Sequence, residues 1–325
     1  MNMKRRVFCI VCAMAVMCCF WGCGAPGSNK KDDRLKVVAT VFAEYDFLRQ
    51  IGGDAINLSM LMLPGADIHT FDPTPKDMMT VQDADLFVTV GGESDAWADT
   101  IVESVDNERL ECLRLMDLVD QVVEEEIVEG MEVEEHDGEE HADDHGEEKE
   151  FDEHVWTAPK NAMQIVEGLC EKLSQLDQKN AGLYQKNAQR YLKKLENLDQ
   201  KFNQVVANSK RREIIVADRF PFRYFADAYG LKYYAAYPGC STQTGASAET
   251  IAFLIDRVRE DNIPVVFHME LSSQLMCNTI CDETGAKKAQ LNAVHNISKR
   301  NFDRGIGYLE LMEKNVDVLR EALQG

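Results

Sequence analysis

The chain has 325 residues, seven histidines, ten cysteines and a formal net charge of −21. Seventeen Asp and Glu against one Lys lie in residues 124–153, a local net of −16, so the remaining surface is only mildly acidic. Nucleic acid is thereby excluded as a partner, because it requires a basic face.

The chain opens with MNMKRR, a basic stretch ahead of about 14 apolar residues, VFCIVCAMAVMCCF. A membrane-crossing helix needs about 20, so residues 1–22 read as an export signal. Cys23 after Gly22, followed by GAPGSNKKDD, resembles the lipobox of bacterial lipoproteins. That resemblance implies an acylated Cys23, residues 23–34 as a tether, and an extracytoplasmic, lipid-anchored chain. Removal of the signal leaves 303 residues, enough for two lobes of ordinary size. Five cysteines remain in the body: Cys112, Cys170, Cys240, Cys277 and Cys281. An odd number leaves at least one thiol unbridged. They read as small buried hydrophobes, with none assigned to metal.

From residue 35, apolar runs alternate with helical patterns: LKVVATVF, NLSMLML and DADLFVTVGG in the first block, EIIVAD, KYYAAY, IPVVFHM and AKKAQLN in the second. This is the pattern of parallel sheets wrapped by helices, an α/β fold. Between the blocks, residues 161–210 carry apolar side chains at helical spacing. A helix over 180–207 would run about 42 Å, a rigid connection between two parallel-sheet lobes, 35–160 and 211–325. The acidic stretch 124–153 cannot bury enough apolar surface to fold alone and reads as a mobile loop. It carries His136, His141 and His145, and its carboxylates would concentrate cations near a tighter site.

The other histidines are His69, His154, His268 and His295. Three of them, His69, His268 and His295, come at or just past a strand exit, where ligands bind in open α/β sheets. Gathered neutral imidazoles suit Zn²⁺, whereas Ca²⁺ and Mg²⁺ prefer oxygen cages.

PGADIHTFDPTP (64–75), ADLFVTVGGESDAW (84–97), DEHVWTAP (152–159) and PFRYFADAYGL (221–231), in that order, resemble the metal-binding receptors of ABC transporters for zinc and manganese. The likeness runs from about residue 35 to 325. It implies metal held between two lobes and delivered to a membrane permease, by a monomer that is not an enzyme. Its first two ligands fall on His69 and His154. The third falls on Arg219, which cannot coordinate a cation, and the fourth, a carboxylate, has no equivalent in LNAVHNIS. The expected set is therefore His69, His154, His268 and His295, with Asp218 and Glu270 as alternatives and Zn²⁺ favoured over Mn²⁺. The competing readings are a metal-binding adhesin and an exported zinc hydrolase using Glu270 as general base. No HExxH spacing is present to support the latter.

Overall fold

The apolar runs become strands, and those at the centre of each sheet are buried on both faces, the condition of a parallel sheet covered by helices. The computed structural model describes residues 32–66, 71–132, 150–241 and 245–325. The first sheet comprises β1 (Leu35–Ala39), β2 (Ile56–Met60), β3 (Leu86–Thr89) and β4 (Glu111–Arg114), ordered β2-β1-β3-β4 and parallel throughout. The second repeats that order as β6-β5-β7-β8, with β5 (Glu213–Phe220), β6 (Lys232–Pro238), β7 (Val265–Met269) and β8 (Lys287–Leu291), again parallel. In each sheet the strand order reverses beside the first strand. Chain connections there diverge to opposite sides and leave a crevice at the carboxyl ends.

Helices α1 (Phe42–Gly52), α2 (Pro75–Gln82) and α3 (Trp97–Ser104) wrap the first sheet. The connection is two helices, α4 (Pro159–Leu176) and α5 (Ala181–Ala207). Then α6 (Arg223–Tyr229), α7 (Ala248–Glu260) and α8 (Leu275–Thr284) serve the second sheet, followed by α9 (Lys299–Asp303) and α10 (Tyr308–Gln324). Helix starts follow capping chemistry. Thr74 and Asp77 form a reciprocal box that spans Pro75, and the Ser247 and Ser298 side chains accept from Thr250 and Asn301 N–H.

The strand faces sort the core into three parts. Val37, Val88, Ile214, Val216 and Phe267 point into one continuous interior that also takes α1, α4, α5 and α10. Val38 and Phe87 face outward to a smaller cluster beneath α2 and α3. Ile215, Ala217 and Val266 face another beneath α7 and α8. The buried stripe of α5, Tyr184, Ala188, Tyr191, Leu195, Leu198, Phe202 and Val205, recurs every three or four residues. Its first half meets α1, where the Asn187 amide donates to Ile51 O and Tyr191 packs edge-on to Phe47. Its second half meets Phe225 and α10 through the Lys201–Glu313 pair. The helix is thus a packed element of the shared core and not an isolated strut.

Two expectations are corrected. Strand β4 was not anticipated, because ECLR is short, largely exposed and lies at a sheet edge. The flanks of the acidic stretch are also anchored. Glu124 bridges to Phe151, Glu132 N–H donates to Ala236 O, and the Glu132 carboxylate accepts from Ser247 N–H and Thr250 Oγ1 at the start of α7. The segment 133–149, with His136, His141 and His145, lies outside the described residues, as do His69 and Cys23. The five body cysteines form no disulfide, and Cys277 is a buried member of the outer cluster.

Asp46 ties the two halves of the chain together. Its buried carboxylate on α1 takes Arg49 Nε at 3.0 Å and the Tyr308 N–H at 2.7 Å, at the positive N-terminus of α10. A Cβ on Gly307 would lie 2.7 Å from Asp46 Oδ2, so this close approach requires glycine. Asp46→Ala should destabilise the protein by about 1–3 kcal/mol by leaving buried donors unmet. Urea unfolding measures this, and an unchanged midpoint would refute the role given to Asp46.

Candidate metal centre

Asp152, two residues before His154, sets that histidine in place. The Asp152 Oδ1 accepts from His154 N–H at 2.8 Å and lies 3.0 Å from ring Nδ1. A carboxylate on Nδ1 fixes the ring orientation and leaves Nε2 as the basic nitrogen, the arrangement commonly found behind metal-bound imidazoles. His154 is fully buried. Burial opposes its charged form, yet Asp152, Glu153 and Glu125 outweigh that and raise its pKa. Space around it is tight: a Cβ on Gly92 would overlap the Glu153 side chain, and one on Gly239 would lie 3.3 Å from the His154 ring.

His295 lies on the loop after β8, held from several directions. Glu270 accepts Ala293 N–H at 2.8 Å and Val294 N–H at 2.7 Å. The Trp156 indole N–H donates to Ala293 O at 2.8 Å, Phe42 N–H donates to His295 O at 3.1 Å, and the Asn296 amide donates to Leu63 O and Ala66 O. Val294 has a φ of 60°, unfavourable for a β-branched residue and sustained only where surrounding bonds dictate it.

These two loops bring His154 and His295 together, with ring centroids 4.8 Å apart and planes at 82°. Trp156 packs against both, at 5.6 and 5.0 Å. Beside His295 lies a cavity of about 120 Å³ walled by Met62 and Ala66, by Asp218 and Arg219 at the end of β5, and by Met269 and Glu270 at the end of β7. It occupies the switch point of the second sheet.

His268 is not part of this convergence. Along β7, Phe267 faces the shared interior and Val266 the outer cluster, so alternation turns His268 outward, and its Nδ1 lies 2.8 Å from Met269 O. Asp218 is on the cavity wall, its oxygens accepting from Arg219 N–H at 3.0 Å and Met269 N–H at 3.4 Å. Desolvation raises the Glu270 carboxyl to about 7, the range of a general base, but both oxygens hold backbone N–H groups, which makes Glu270 a clamp on the His295 loop. Sequence reasoning missed Asp152, whose signal was a carboxylate two residues before a histidine. It also passed over Glu125, Glu150 and Cys240, each offering one donor atom within 4.8 Å of the others.

A family model described as zinc-uptake complex component A, periplasmic (ZnuA) matches residues 37–322. The high-affinity zinc uptake system protein ZnuA of Bacillus subtilis is 31% identical over 319 residues, covering 96% of this chain and 95% of that protein. The zinc-binding lipoprotein AdcA of Streptococcus pneumoniae (strain R6) is 29% identical over 312 residues. That match covers 95% of this chain but 60% of AdcA, so the chain spans about three-fifths of that relative's length. The crystal structure of Zn(II)-bound AdcA from Streptococcus pneumoniae superposes with a TM-score of 0.73 at 26% identity, covering 90% of this chain and 58% of AdcA.

The buried carboxylates imply a pH dependence. Burial, then Asp95, lifts Glu44 well above the carboxylate range, and burial lifts Asp95 to about 6 against the N–H groups of Val90 and Gly91. Above the ordinary carboxylate pKa of about 4, the native state holds protons that the unfolded chain has released, so stability falls as pH rises. The metal-free protein should therefore melt at a higher temperature at pH 5 than at pH 7, with the slope reduced in Asp95→Asn. Calorimetric melting tests this; a melting temperature that rises from pH 5 to 7 contradicts it.

Proposed function

Because the chain belongs to the zinc-uptake complex component A family, we propose that it is an extracytoplasmic receptor that captures Zn²⁺ and delivers it to an ABC-transporter permease, held at the membrane through an acylated Cys23. The observation that carries this reading is the meeting of the His154 and His295 rings at the seam of the two sheets. Two imidazoles, with Asp152 behind one of them, form a donor set suited to Zn²⁺, with Zn–N bonds of about 2.0–2.1 Å. Imidazole is also what favours Zn²⁺ over Mn²⁺.

His69, which the sequence selects as a further ligand, belongs to the segment between Ala66 and Phe71, at the cavity wall and beside Trp97 respectively. Asp218, on the cavity wall, is the carboxylate alternative, while His268 is dropped from the set. We assign the histidines of 133–149 to weak collection of cations by the acidic segment. Because 124–132 are packed against the second sheet, a deletion that tests this role should be confined to 133–149.

Trp156 lies against both rings and reports on the site. Zinc titration followed by its fluorescence should show His154→Ala and His295→Ala weakening affinity by more than roughly a hundredfold, since outer-sphere changes alone cost ten- to a hundredfold. His268→Ala should bind zinc as the parent does. Parental affinity in the first two variants, or loss of binding in the third, would refute the assignment.

A further inference from the structure

The two flanks of the acidic stretch pair with each other, and their ladder ends on the metal centre. Glu124 bridges to Phe151 in the antiparallel sense, with Asp152 N–H donating to Val123 O at 3.0 Å and Glu125 N–H to Glu150 O at 2.9 Å. The Tyr224 hydroxyl fastens this pair to α6, accepting from Val123 N–H at 3.2 Å and donating to Asp152 O at 2.6 Å. Each flank then reaches His154 by its own route. Asp152 takes ring Nδ1 directly. Glu125 instead accepts Cys240 N–H at 2.8 Å. Cys240 follows Gly239, where a Cβ would lie 3.3 Å from both Nδ1 and Cε1 of the same ring and 3.0 Å from Phe220 O. The Gly239 backbone therefore lies against the ring edge that Asp152 holds. The Glu153 backbone also bonds the Cys240 sulfur, but sulfur is a weak acceptor, whereas a carboxylate on an N–H makes one of the stronger hydrogen bonds. Glu125 is the main tie on the turn.

We infer that Glu125 is a positioning residue for His154: it holds the Gly239–Cys240 turn against the ring, so that the imidazole is confined between that turn and Asp152. Both supports come from the root of the acidic stretch, Glu125 ahead of 133–149 and Asp152 after it. Glycine at 239 is what lets the turn come so close. A ring confined on both sides loses little freedom when it takes a metal, which is how outer partners raise affinity. This rests on the metal-receptor reading above and adds to it a residue that acts through the backbone of a neighbouring turn.

The test compares zinc affinity, at buffered free Zn²⁺, of the full chain and its Glu125→Ala, Glu125→Gln, Gly239→Ala and His154→Ala variants. Glu125→Ala should weaken binding roughly ten- to a hundredfold, the range for outer partners of metal ligands. Glu125→Gln, whose amide oxygen still accepts the Cys240 N–H, should keep most of the parental affinity. Gly239→Ala, which forces a methyl group towards the ring without touching Glu125, should weaken binding as well. In the metal-free protein, ¹⁵N NMR of the imidazole nitrogens should show the His154 Nδ1–H exchanging with water faster in Glu125→Ala than in the parent, with Glu125→Gln restoring the parental signal. Parental zinc affinity in Glu125→Ala or Gly239→Ala, with His154→Ala impaired, overturns the positioning role and leaves the receptor reading intact; parental affinity in His154→Ala overturns both. Glu125→Gln as weak as Glu125→Ala would mean that the carboxylate acts by charge or by direct ligation, which also overturns the role. An unchanged Nδ1–H signal in Glu125→Ala overturns it independently of zinc.

Discussion

The hydrogen bond from the Trp156 indole to the Ala293 carbonyl joins core and site. Trp156 is fully buried in the interior shared by the two sheets, and its own carbonyl accepts the Tyr308 hydroxyl from α10. One residue thus joins three segments, through its side chain and its carbonyl: the turn carrying His154, the loop carrying His295 and the helix closing the second sheet. Because the rings lie on those loops, their 4.8 Å approach follows from core packing. A substitution that loosened Trp156 would disturb the donor geometry before any donor was altered.

Acidic side chains do much of the local building. Loops leaving parallel strands expose backbone N–H groups that no ladder satisfies, and a carboxylate can accept two at once. Glu44 accepts from Thr40 and Val41 after β1, Asp95 from Val90 and Gly91 after β3, and Glu270 from Ala293 and Val294 after β8. The same device recurs at the exits of both sheets, although the sequences show no evident repeat. Its cost is desolvated negative charge around the seam, which raises the pKa of Glu44, Asp95 and Glu270.

Parallel strands buried on both faces announce themselves as apolar runs, and the stripe of α5 has a clear helical period, so the two-sheet architecture was legible. The exposed edge strand β4 carries no such signal. Residues 124–132 look unfoldable by charge, but their anchors are backbone bonds and helix capping on the second sheet, more than a hundred residues away. The histidines divide in the same way. His154 and His295 sit on loops whose convergence follows from chain order at the sheet ends. His268 lies within β7, where one residue of register decides the face, and the run PVVFHM does not reveal it. Glu270 misled for a related reason: a carboxylate at a strand exit has the same appearance whether it binds a cation or backbone N–H groups.

The continuity of the interior also bears on which parts of the molecule can rearrange. A wide swing of one sheet against the other would have to break the Asp46 bonds to α10, the Asn296 bonds to Leu63 and Ala66, and the packing of both halves of α5. The cavity wall, by contrast, is built largely from strand ends and loops, Gly65–Ala66 on one side and Leu271–Ser272 on the other. Leu271 has a φ of 64° and is half exposed, so its loop has few apolar contacts opposing local rearrangement. Local opening requires less burial to be undone than separation of the sheets. The mouth of the cavity therefore opposes rearrangement less than the Trp156 seam, which holds the two imidazoles in place.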